Sequence, residues 1–126
     1  MRKMLLGTLV ALSFAAMAAP AAAWDRIGTR TVTDHGDRDV ITVAGGKRYD
    51  RIKVCVYKHP VEFYDLDVNY ANGGHQDVNI RSRINPGDCT RNIDLTGDDR
   101  NITKIVLKYE ETSRRRARAK VRVFAE

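Results

Sequence analysis

Beyond residue 23 the chain alternates hydrophobic and polar positions with a period of two, the spacing of a strand that buries one face. The clearest run is 49–58, where Ile52, Val54 and Val56 point one way and Lys53, Cys55 and Tyr57 the other. In 61–70 the alternation places Tyr64, Leu66, Val68 and Tyr70 on one face, with Phe63, Asp65, Asp67 and Asn69 opposite. Further strands are predicted at 27–33, 38–43, 75–84, 90–95, 102–109 and 117–124. The last two turn Ile105, Leu107 and Tyr109, then Ala119, Val121 and Val123, toward a common core. Turn chemistry separates the strands at Gly45-Gly46, Pro60, Asn72-Gly73-Gly74, Asn85-Pro86-Gly87 and Gly97-Asp98-Asp99. About eight short strands with no helical stripe predict an all-β fold, an antiparallel β-sandwich, with a small β-barrel as the alternative. The sandwich is preferred because several strands carry charge on one face and apolar side chains on the other.

The first residues follow another pattern. Arg2 and Lys3 precede an apolar stretch from Met4 to Met17, broken only by Gly7, Thr8 and Ser13, and the chain then turns small through Ala18, Ala19, Pro20 and Ala21-Ala22-Ala23. That order is the signature of a secretory signal peptide over 1–23, cut between Ala23 and Trp24. A retained membrane anchor would need roughly 18 or more uninterrupted apolar residues. Taking 23 of the 126 residues away leaves 103, enough for one domain, 24–126. The expected location is the periplasm or the secreted space.

Export changes how charge and cysteine are read. The chain has 22 Lys and Arg against 16 Asp and Glu, a formal charge of +6; losing Arg2 and Lys3 lowers it to +4. A mildly basic exported domain is drawn to anionic surfaces, so the expected partners are an anionic envelope lipid, a glycan or an acidic protein. The compartment disfavours nucleic acid. Cys55 and Cys89 are the two cysteines of the chain, and an even count in an oxidising compartment reads as a structural disulfide, with free or intermolecular thiols as the alternative. No C-x-x-C accompanies them for redox chemistry or zinc.

The residues Asp37-Arg38-Asp39-Val40-Ile41, 52–56, Phe63-Tyr64-Asp65, Asn72-Gly73, 78–81, and Thr90-Arg91-Asn92-Ile93-Asp94-Leu95 followed by Arg100 resemble a family of small exported bacterial proteins described as YaaI-like, of unknown function. The resemblance spans nearly all of 24–124 and implies export, a β-rich domain and no established activity. Its motifs are strands and turns, so it assigns no catalytic residue.

The strongest local chemistry is Arg114-Arg115-Arg116 with Arg118 and Lys120, a concentrated positive field whose guanidinium forks suit phosphates and carboxylates. It is read either as a solvated loop between the last two strands or as an anion- or partner-binding element. Asp34-His35-Gly36-Asp37-Arg38-Asp39 gathers three carboxylates and an imidazole, the basis of an alternative reading as a small periplasmic enzyme, although no nucleophile motif accompanies it. Asp65, Asp67 and Asn69 open like a calcium loop, but Tyr70 and Gln76 stand where glycine and glutamate are required. His35, His59 and His75 share no metal-ligand spacing. Neither a cofactor nor a metal is expected. The reading that results is a non-catalytic binding or interaction module; a structural envelope-stress protein without a ligand is the third possibility.

Overall fold

The alternating runs pair into two antiparallel sheets. The structure is a computed structural model, and the residues it describes are 23–32, 38–111 and 118–126. Their strands are β1 (Asp25–Val32), β2 (Arg38–Thr42), β3 (Arg51–Tyr57), β4 (Val61–Tyr70), β5 (His75–Val78), β6 (Ser82–Ile84), β7 (Ile93–Asp94), β8 (Ile102–Glu111) and β9 (Ala119–Ala125), with no helix among the described residues. One sheet has four strands in the order β1-β9-β3-β7; the other has five, β2-β8-β4-β5 with β6 also on β4. The sheets stay open and face each other, a sandwich and not a barrel.

The strand order follows from a single folding-back. The chain reverses at Asn72-Gly73-Gly74, where Gly73 takes a φ of 91° that a side chain would oppose. There Asn72 Oδ1 accepts from the Gly74 amide at 2.9 Å. Outward from that hairpin the two arms pair in turn: β4 with β5, β3 with β7, β2 with β8, β1 with β9. The long ribbon then curls so that β9 also pairs with β3 and β8 with β4. With β5 and β6 counted as two halves of one strand, this is the eight-stranded jelly roll.

Both inner faces are apolar. Ile52, Val54 and Val56 of β3, Val121 and Val123 of β9 and Leu107 of β8 are fully buried, with Phe63 and Tyr109 among the largest side chains enclosed. Each open side of the sandwich has a polar clasp. On one, Tyr109 donates its hydroxyl to Asp39 Oδ2 at 2.5 Å, and Arg30 Nε reaches Asp39 Oδ1 at 3.2 Å, tying β8, β2 and β1 together. On the other, Gln76 Oε1 accepts from the Tyr70 hydroxyl (2.6 Å) and the Thr96 amide (2.8 Å), while its Nε2 donates to the Asp94 carbonyl (3.0 Å).

Three expectations change in detail. The even alternation expected through 61–70 is broken by a β-bulge between Phe63 and Asp65, which turns Phe63 inward with Val61 and leaves Tyr64 exposed. The extra residue re-phases the strand, so Leu66, Val68 and Tyr70 still face the core. The single strand expected over 75–84 is two, because Arg81 adopts a left-handed φ of 40° that extended backbone cannot absorb. The strand expected over 90–95 shrinks to Ile93–Asp94. Before it, the Val56 amide donates to the Asp88 carbonyl (3.0 Å) and the Thr90 amide to Val54 (2.8 Å), so this stretch also borders β3. Thr90 Oγ1 accepts from the Val54 amide at 3.0 Å, a side chain standing in for a ladder carbonyl. Between these bonds Cys55 faces Cys89, and the two are joined by a disulfide.

Candidate anion-binding face

The outer surface of the four-stranded sheet is built mainly by β9 and β3. In β9, Ala119, Val121, Val123 and Ala125 are fully buried, so period two sends Lys120, Arg122 and Phe124 to the other side. Arg118 precedes them at the strand's start and is exposed. In β3 the same rule turns Lys53, Cys55 and Tyr57 to this side; Lys53 and Tyr57 are half-buried, and Cys55 is buried. The register sets Lys53 against Phe124, Cys55 against Arg122 and Tyr57 against Lys120.

Two cations on this face, Lys53 and Arg122, rest on aromatic rings. Lys53 Nζ lies 4.4 Å from the centroid of Trp24 and 6.0 Å from that of Phe124, and the Arg122 guanidinium lies 4.6 Å from that of Tyr57. A ring quadrupole attracts a cation without neutralising it. Among the described residues the ion pairs are Arg30–Asp39, Lys47–Asp25, Arg48–Asp99, Arg51–Glu126 and His75–Asp67. None of them engages Lys53, Arg118, Lys120 or Arg122. Strand geometry turns all four to this side, and rings hold two of them, Lys53 and Arg122.

The same face collects the unmet hydrogen bonds. Three buried side-chain polar atoms among the described residues have no hydrogen-bond partner: Arg51 Nε, Arg122 Nε and Glu126 Oε1. Arg51 Nε stands 3.0 Å from Glu126 Oε2, an ion-pair distance, but without the alignment of a hydrogen bond. Buried polar groups in folded proteins are nearly always satisfied, so orphans gathered on one surface mark where something else supplies the partner.

The residues singled out in the sequence divide between surfaces. Arg118 and Lys120 join this face; Arg114, Arg115 and Arg116 lie outside the described residues. Of the 34–39 loop only Arg38 and Asp39 are described, and Asp39 is committed to Tyr109 and Arg30. Asp65, Asp67 and Asn69 do share one side of β4, on the outer face of the other sheet. There Arg38, Asp65, Asp67, His75, Asp77 and Lys108 surround a hollow of about 330 Å³ over Val106. His75 Nδ1 sits 2.9 Å from Asp67 Oδ1, and burial, then a hydrogen bond with Asp77, raises the Asp65 carboxyl above its usual value. Among the described residues no group of three or more His, Cys, Asp or Glu side chains is placed to hold a metal ion.

Sequence reasoning overlooked Arg122, Lys53, Arg51 and Trp24 as part of the basic face. Continuing the R-x-K-x-R alternation from Arg118 one step beyond Lys120 reaches Arg122. The contribution of β3 and Trp24 depends on which strands become neighbours, and no local signal carries that.

A family model described as "Domain of unknown function (DUF2541)" matches residues 4–125. No curated protein and no solved structure matches the chain.

Proposed function

The chain belongs to the DUF2541 family, a domain of unknown function, and from that premise we propose that it is an exported, non-catalytic binding module whose basic face receives an anionic component of the cell envelope. The observation that carries this reading is the row Lys120 and Arg122 beside Lys53, with Lys53 and Arg122 set over aromatic rings, without a carboxylate partner among the described residues and with Arg122 Nε buried and unsatisfied. A phosphate oxygen meeting the half-buried Arg122 guanidinium would form a charge-assisted hydrogen bond in a partly dehydrated setting, stronger than one made in open water. The open outer surface of a sheet suits an extended or planar ligand, and lipid phosphates fit best. The run Arg114-Arg115-Arg116 leads in sequence directly to Arg118 and would add long-range attraction.

Support for export comes from the charged start, apolar stretch and small residues of 1–23, from the Cys55–Cys89 bridge, and from the YaaI-like resemblance. Support for a non-catalytic role is that Asp39, the described acid of the 34–39 loop, is occupied by structural bonds.

The test is retention of the chain 24–126 by vesicles containing anionic phospholipid. Binding at low salt is expected, with loss at high salt and on neutral vesicles. Replacing Lys53, Lys120 and Arg122 by alanine should abolish it, and replacing Arg114, Arg115 and Arg116 should weaken it. No binding at low salt, or binding indifferent to these changes, overturns the proposal. Retention on acidic glycan or acidic protein alone would redirect it to those partners.

A further inference from the structure

The orphaned carboxylate oxygen of Glu126 lies where removal of the leader would create a new charge. β1 is held against β9 from the pair Asp25–Ala125 onward. Extending that ladder by one residue sets Trp24 beside Glu126. Ala23 and Glu126 line one cavity of about 300 Å³, together with Asp25, Lys47, Tyr49 and Arg51. Glu126 Oε2 is near Arg51, but Oε1 is buried with no partner among the described residues. Trp24 is already fixed on the basic face by its ring beneath Lys53 Nζ.

We propose that cleavage after Ala23 creates at Trp24 an α-ammonium that the Glu126 carboxylate receives, so that processing locks Trp24 beneath Lys53 and completes the basic face. The inference rests on the export reading above. A leader-removing peptidase adds water across the Ala23–Trp24 amide; the new carboxylate departs with the leader, and the amide nitrogen becomes a primary amine that takes up a proton. This amine can donate to Glu126 Oε1, which an interior amide in its place leaves unsatisfied.

The terminal carboxylate of Glu126 accepts from the Asp50 and Arg51 amides at 2.7 and 3.2 Å and is the same in every chain compared, so differences between them do not come from it. Asp25 is held by Lys47 Nζ at 2.5 Å and by the Tyr49 hydroxyl at 3.0 Å, so neither Asp25 nor Lys47 competes directly. Arg48 pairs with Asp99. Arg51 and Lys53 are the cations that oppose the ammonium, and the proposed hydrogen bond to Glu126 Oε1 outweighs them. Burial and the hydrogen bond to Asp25 raise Tyr49 above 10.0, so it stays protonated over the window in which an α-amine titrates.

Every described strand falls within residues 25–125, so the chain 24–126 contains both sheets. The experiment compares 24–126 with 22–126, whose α-amine is displaced by two residues. It also uses 24–126 acetylated at its α-amine, which leaves Glu126 and Arg51 untouched, and the Glu126→Gln form of 24–126. The α-amine pKa is followed by NMR and the thermal midpoint from pH 7 to 9.5. The expected result is an amine in 24–126 titrating above the ordinary range of about 7.7–8.0. It should fall back in 22–126 and in the Glu126→Gln chain. A raised folded pKa means stability present below about pH 8 and lost as pH rises through the folded value. The midpoint of 24–126 should therefore drop across that interval, while the acetylated chain stays level. An unshifted amine that ignores Glu126→Gln overturns the clamp. The mass of the mature protein recovered from exporting cells tests the underlying reading separately: a start other than Trp24 overturns the processing half, whatever the titration shows.

Discussion

The Arg122 guanidinium stacks 4.6 Å over the ring of Tyr57, its diagonal neighbour across the β9–β3 ladder. The ring holds the cation against the sheet and leaves its charge available. Arg122→Ala should weaken retention on anionic vesicles about tenfold or more at low salt, on the scale of a lost hydrogen bond to a charged group, about 1.5–3 kcal/mol. It should cost folding only about 1–2 kcal/mol, the worth of a partly desolvated cation–π contact. Tyr57→Phe keeps the platform and should behave as the parent chain. Vesicle sedimentation and urea unfolding on the same samples separate the two effects.

The Cys55–Cys89 bridge closes a loop of 34 positions beside the same cation. Replacing both cysteines by serine should lower unfolding free energy by about 3–4 kcal/mol on the loop-closure account. Reduction of the parent chain should bring its denaturation midpoint to that of the double variant. Thr90→Val removes the acceptor for the buried Val54 amide and should cost about 1–3 kcal/mol more.

On the opposite face, Asp65 yields a pH prediction. Burial raises its carboxyl above 3.8 first, followed by the hydrogen bond with Asp77 and that residue's charge; the Leu66 amide and Lys108 pull the other way. An acid with a raised folded value binds its proton more tightly in the native state. It therefore subtracts stability as pH climbs from 3.8 through the folded value. Asp65→Asn should melt above the parent at pH 7, and the gap should close below pH 3.8. Carboxylates distant from Asp65 cancel in the difference, and removing its charge also relieves its neighbour Asp77, which acts in the same direction.

At the sandwich edge, a Cβ added to Gly28 would lie 2.2 Å from Ile41 Cγ2. That methyl belongs to a β-branched side chain with little rotamer freedom. Gly28→Ala should destabilise by about 1–3 kcal/mol. Combined with Ile41→Ala it should cost less than the two changes summed, a coupling that a double-mutant cycle in urea would read directly.

Much of this architecture was legible in the chain. The alternation in β3, β8 and β9 named the inward residues correctly, and the turn at Asn72-Gly73-Gly74 marked the point where the jelly roll folds back. The 61–70 stretch misled because its letters alternate evenly while its backbone does not. A bulge is set by the partner strand, and Phe63 reads as outward until β8 is placed beside it. Arg81 gave no sign either, since nothing in its neighbours demands a left-handed backbone.

The sequence by itself determined the all-β class, the apolar face of most strands, the cysteine count and the positive run ending at Lys120, because each depends on local spacing or composition. Tertiary structure alone decided that Lys53 would share a face with Arg122 and set its ammonium over Trp24, that Asp39 would serve as a clasp, and that Glu126 would keep an unsatisfied oxygen in a hollow it lines with Ala23. Those relationships join residues up to about a hundred positions apart. They exist only because the ribbon pairs its two ends, a choice made by the burial of the whole core and not by any short stretch of it.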